Sequence, residues 1–289
     1  MTLFNRGQTN PELFPETERL RGDRDGDLAA LEEGAWDAAV DTCGYVPRVV
    51  RASAELLAAA VQHYTFVSTI SVYADVRGPV DEESPAATLE DETVEDFGEE
   101  YRNYGPLKAL CEQAVREALP GRALVVRPGL IVGPHDPTGR FTYWAHRVRR
   151  DGEILAPRPP ERKVQFVDVR DLAPWMLDMV ERRATGVFNA TGEGVAWGEL
   201  IDGVRVTWVS DEFLLEHGVG EWMELPLWLA NPAYAGVHQV DVSRAIAAGL
   251  RFRLVAETLR DAAEAPLVEG VGLSPEREAE LLAAWKERA

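Results

Sequence analysis

A chain of 289 residues can bury one large core or two modest ones, and 46% apolar with 27% charged residues is the balance of an ordinary globular protein. The formal net charge of −19 repels phosphate backbones and anionic lipid surfaces, so neither a nucleic-acid nor a membrane partner is expected. Cys43 and Cys111 make no disulfide framework, the five histidines lack zinc-site spacing, and no spanning apolar run or leader is seen, so a metal-free cytoplasmic protein is expected.

In chain order, apolar runs predict strands at Thr2–Asn5, 38–42, 65–68, Ala123–Arg127, 164–167 and 186–190. Apolar residues at helical spacing predict helices at 52–61, Tyr104–Ala118 and 171–182. This alternation predicts an α/β fold with a doubly wound parallel sheet, in which ligands sit beyond the carboxyl ends of the strands. Residues 81–100 hold ten carboxylates in twenty positions and read as a solvated loop. From Trp197 onward the pattern turns irregular and aromatic, as in WMELPLWL, and reads as a separate lobe. Residues 274–289 fit a helix capped by Ser274 with Pro275 in its first turn.

The chemistry-bearing residues concentrate in two stretches. In YGPLKALCEQAV, Tyr104 and Lys108 stand four apart at the start of a helix, which places them on one face. An ammonium near a phenol favours the phenolate, so Tyr104 is expected to have a lowered pKa and to exchange protons near neutral pH. The chain has only three lysines, Lys108, Lys163 and Lys286, which makes a chance pairing less plausible. FVSTISVYAD ends a buried-strand pattern in the hydroxyls of Ser68, Thr69 and Ser71, suited to holding a substrate oxygen, or else to capping the turn that follows.

Taken together, VSTISVYAD, YGPLK, RPGLIVGP and FVDVRDLA, in that order, resemble the extended short-chain dehydrogenase/reductase superfamily in its NAD-dependent epimerase/dehydratase branch. The resemblance implies a Rossmann-like part at 1–137 and 164–190 and a smaller substrate lobe at 138–163 and 191–289. It implies a hydride-transferring enzyme acting on a carbinol or carbonyl carbon of a small, sugar-like substrate. Tyr104 would be the acid/base, Lys108 its partner and ribose ligand, and Thr69 the aligning hydroxyl. Ser68, His135, Arg140 and Tyr143 would face substrate. Asp23, Thr42, Cys43, Gly44, Arg127, Pro128 and Gly129 would line the dinucleotide. Where the family often holds the ribose with an acidic residue, this chain has Asn5 and Arg6, which favours NADP over NAD. The family often dimerises, so a homodimer is a further expectation.

In this mapping Thr2–Asn5 matches the family's second strand, and no counterpart of its first strand and glycine-rich phosphate loop is found. The reading therefore keeps open a cofactor-free pseudoenzyme or binding protein on the same fold, and apolar sheet edges for a partner chain to cover. GVFNATGEGVAWG, at 186–198, imitates a nucleotide loop, but its glycine spacing and short following helix favour a passage into the substrate lobe. A kinship with relatives that bind RNA in chloroplasts is opposed by the charge.

Overall fold

The computed structural model describes residues 1–288. It runs through β1 (Thr2–Asn5), β2 (Glu18–Arg21), β3 (Trp36–Asp41), α1 (Pro47–Leu57), β4 (Val61–Val67), α2 (Tyr104–Ala118) and β5 (Ala123–Arg127). There follow β6 (Leu130–Val132), α3 (Arg140–Arg147), β7 (Ile154–Pro157), β8 (Lys163–Val164), β9 (Phe166–Asp168), α4 (Val169–Glu181) and β10 (Gly186–Asn189). The remainder holds β11 (Val195–Ala196), α5 (Trp197–Leu200), β12 (Val206–Val209), α6 (Asp211–Glu216), α7 (Ser243–Ala247), α8 (Val255–Ala262) and α9 (Pro275–Arg288).

The chain divides into two compact units. The first comprises 1–74, 84–127 and 176–188; the second comprises 75–83, 128–175 and 189–289. In the first, β10, β5, β4 and β3 form one sheet in that order, with β3, β4 and β5 mutually parallel. The parallel crossovers are α1 and α2, which pack on one another. Their apolar stripes meet the sheet through Val50, Ala54, Tyr64, Phe66, Cys111 and Val115. β5 is buried along its whole length, which is why its sequence, ALVVR, is apolar throughout except for its last residue. β1 and β2 form a separate parallel pair, tied to β3 where the Trp36 indole donates to Thr2 Oγ1 at 3.2 Å.

The strand expected at 164–167 is divided at Gln165 into β8 and β9, which pair with different strands, and the largest shifts of element starts have identifiable reasons. The helix expected at 52–61 starts at Pro47, whose fixed φ suits a first helical position, and it stops before Val61 joins the sheet. The strand expected at 65–68 starts at Val61, because Gln62 and His63 interrupt the apolar run while their backbone stays in the ladder.

The second unit has short ladders, β6 with β9, β7 with β12 and β8 with β11, around a core of Phe141, Trp144, Trp197, Phe213 and Trp228. Its last helix, α9, is capped as expected, with the Arg277 N–H donating to Ser274 Oγ at 3.1 Å. Gly192 of the loop-like GVFNATGEGVAWG stretch packs its backbone on Phe166, whose carbonyl oxygen would lie 2.1 Å from an added Cβ. The helix after it is α5, only four residues long, so the stretch lacks the context of a nucleotide loop and Gly192 serves close packing. Among the described residues no helix is long and apolar enough to cross a membrane.

In the first unit Arg127 donates to Glu112 Oε1 and Oε2 at 2.9 and 2.7 Å, with side chains 6% and 1% exposed. Glu112→Gln strands a buried guanidinium and is expected to cost about 3–5 kcal/mol in denaturant unfolding. Combining Glu112→Leu with Arg127→Met in one chain should recover most of that loss; equal midpoints for wild type and Glu112→Gln would refute the pairing.

Candidate active site

The first turn of α2 comes unusually close to the turn that follows β4. An added Cβ at Gly105 would lie 2.0 Å from the Ser71 carbonyl oxygen, so only glycine lets the two segments meet there. That approach sets Tyr104 beside Thr69, whose side chain favours the phenolate, while the Thr69 hydroxyl donates to Ser71 Oγ at 3.2 Å. Thr69 also caps its own turn, accepting from the Ser71 N–H at 3.1 Å. The turn-capping reading of the hydroxyl cluster therefore holds for Thr69. Ser68 is buried beside it, and its Oγ has no partner among the described residues.

Lys108, one turn along the helix, is 2% exposed. Its ammonium donates to the carbonyls of Gly44 at 2.6 Å and Val67 at 2.7 Å, and lies 4.2 Å from the centre of the Phe66 ring. These carbonyls end β4 and follow β3, so one cation joins the two strand ends where a ligand would sit. Burial brings its pKa down from 10.5 to about 8. Burial pushes Tyr104 upward, and the Thr69 contact only partly opposes it. The expected lowering of Tyr104 by Lys108 is thus absent: the ammonium is spent on two carbonyls, and loss of water dominates at the phenol.

Two aromatic neighbours escaped the sequence reading. Tyr45 lies 6.4 Å from the Tyr104 ring and 5.3 Å from the Lys108 ammonium, and Phe97 meets Tyr104 edge-on at 5.6 Å. Phe97 belongs to the acidic stretch, whose carboxylates are mostly exposed as expected. Charge density hid its one useful ring. Glu95 anchors the same stretch by accepting from Arg48 at 2.8 Å.

The other candidates fall into separate groups. Asn5 accepts from the Gly7 N–H at 2.9 Å and from Arg21, and Arg6 reaches Asp23 at 3.9 Å, so the ends of β1 and β2 gather these three. A cavity of about 210 Å³ beside Asn5 is lined also by Phe14, Arg19 and Arg21. Thr42 and Cys43 are exposed after β3, while Gly44 is buried against Phe66. Arg127 is committed to Glu112 and Tyr73. Asp41, missed by the sequence reading, takes both terminal nitrogens of Arg24 at 2.6 and 2.7 Å and accepts from Tyr64 at 3.0 Å.

Pro128, Gly129, His135, Arg140 and Tyr143 belong to the second unit. His135 has a φ of 67°, and Tyr143 is 6% exposed in the core, where the Gly272 backbone packs against its ring. Among the described residues no three metal-ligating side chains gather.

The NAD dependent epimerase/dehydratase family model matches residues 27–191, more than half of the chain. The chain belongs to this family. Its α/β fold with parallel strands is that of solved family structures. The Bordetella bronchiseptica enzyme WbmH, in complex with NAD+, is 17% identical over 91% of this chain and 88% of its own, with a TM-score of 0.62. The UDP-glucuronic acid 4-epimerase of Bacillus cereus, in complex with NAD, is 14% identical over 91% and 88%, at 0.59. A dTDP-4-dehydrorhamnose reductase from Clostridium acetobutylicum is 15% identical over 91% and 99%, at 0.58. No curated protein matches the chain.

Between pH 8 and 10.5 the unfolded chain holds a proton on Lys108 that the folded chain has released. Unfolding free energy should therefore rise with pH across this window, by roughly 3 kcal/mol relative to a Lys108→Met variant. Urea unfolding of both proteins from pH 7 to 11 tests this, and parallel profiles would rule it out.

Proposed function

We propose that this protein is a nicotinamide-dependent oxidoreductase or epimerase acting at a carbinol or carbonyl carbon of a small, sugar-like molecule. The observation that carries the reading is the Tyr104–Thr69 pair with Lys108 buried one helical turn away. Membership of the family and the NAD held by the solved relatives support the cofactor class. The residues suit such a ligand: Ser68 Oγ is buried without a partner, and Asn5, Arg6 and Asp23 gather at strand ends. Bound there, a nicotinamide supplies the hydride donor and acceptor.

The chain's own residues supply the rest. The phenol of Tyr104, kept protonated by burial, gives its proton to a substrate oxygen that becomes an alkoxide, and takes one back in the reverse direction. Thr69 orients that oxygen, and the Lys108 charge stabilises the phenolate that Tyr104 becomes. Phe97 and Tyr45 limit water around the phenol. A cofactor-free binding protein is less well supported, because a buried ammonium and an unpaired buried hydroxyl are costly features for a surface that performs no chemistry.

NADP is the cofactor we favour, since Arg6 is 62% exposed, has only a 3.9 Å contact to Asp23 and can turn to a 2′-phosphate. The small substrate is the other partner, and assembly as a homodimer in the cytoplasm completes the proposal.

Tyr104→Phe should lower kcat by about 100-fold or more while dinucleotide affinity, measured by calorimetry, stays unchanged. Undiminished turnover would remove the acid/base assignment. Arg6→Glu should weaken NADPH binding by about tenfold or more and spare NADH; equal losses for both would count against the NADP preference.

A further inference from the structure

In the second unit, half-buried and buried arginines are paired with carboxylates: Arg147 with Glu278, Arg162 with Asp211, and Arg170 with Asp168 and Asp261. Arg140 breaks that rule. Among the described residues it has no hydrogen bond and no ion pair, its Nε is buried without a partner, and its guanidinium lies 4.7 Å from the centre of the Trp222 ring. Burial lowers its pKa from the usual arginine value, and Asp136 is close enough to oppose this only in part. The same turn holds two more stranded groups, Asp136 Oδ2 and Thr138 Oγ1, both buried without a partner. In a chain of net charge −19, with carboxylates to spare, an arginine withdrawn from water and left unpaired is a standing cost unless an anion from outside meets it.

We infer that Arg140, Thr138 and Asp136 form a subsite for a small hydroxylated oxyanion, a carboxylate or a phosphate monoester. The guanidinium takes the charged group as a planar fork, with Trp222 beneath it. The Thr138 hydroxyl donates to the ligand, and the free Asp136 oxygen accepts from a ligand hydroxyl. One guanidinium suits one compact anionic group rather than a diphosphate. The subsite lies wholly within the second unit and does not depend on the proposed function.

The test needs no turnover. The full chain is titrated with inorganic phosphate and separately with acetate, following the arginine Nε–Hε NMR signal that is missing from Arg140→Lys. A saturable shift of that signal, with phosphate affinity reduced by about tenfold or more in Arg140→Met, is the expected result. The stronger of the two probes tells phosphate monoester from carboxylate. Equal shifts across many arginine signals, or phosphate affinity unchanged in Arg140→Met, would mean an adventitious ion only and overturn the subsite.

Thermal unfolding of anion-free Arg140→Met gives a second readout. The subsite predicts an unchanged or raised midpoint, because a stranded charge is removed, whereas a purely structural stack on Trp222 predicts a lowered one. Failure of dinucleotide binding, with Arg140 still responding to phosphate, would reject the proposed activity and leave the subsite standing.

Discussion

A buried ammonium organises the first unit. Lys108 leaves water to reach two backbone carbonyls, one after β3 and one at the end of β4, and so fastens α2 to both strand ends. The arrangement is tolerable because carbonyl dipoles and the Phe66 face replace part of the lost hydration. Its consequence is positional: with α2 held there and Gly105 pressed on the Ser71 carbonyl, Tyr104 has little choice but to stand beside Thr69. Electrostatics then decide the protonation state of that phenol. The phenol is a neutral acid at rest, since desolvation raises its pKa and the Thr69 side chain opposes this only in part.

Elsewhere the same tension between charge and burial is resolved by pairing. Arg127 with Glu112 and Arg24 with Asp41 in the first unit, and Arg147 with Glu278 in the second, each bring a guanidinium against a carboxylate out of water. Such pairs fix geometry more than they add stability. Glu278 illustrates this, since it also accepts the Leu155 N–H and so joins α9 to β7. Lys108 and Arg122, which donate to backbone carbonyls, and Arg140, which lies against an indole, depart from this pattern.

Much of the architecture was legible because its signals are local. ALVVR and the stripe Leu107, Cys111, Ala114, Val115 gave β5 and α2 their observed bounds, since apolar periodicity is the imprint of burial itself. The start of α1 was misplaced because its first turn opens on Pro47 and carries two adjacent valines between arginines, a pattern too short to show helical periodicity. Phe97 and Tyr45 were overlooked for a related reason: each sits among residues that read as loop, and nothing in a loop's composition says which ring will turn inward.

By itself the sequence determined the fold class, the family and the spacing that puts Tyr104 and Lys108 on one helical face, because all three are written in residue type and short-range order. Only the tertiary structure decided where the charges go. It spends the Lys108 ammonium on Gly44 and Val67, draws Arg127 into a pair with Glu112, and leaves Arg140 without a carboxylate. The reason is that pKa and pairing depend on burial and on partners tens of residues away, and neither quantity is set until the chain has folded.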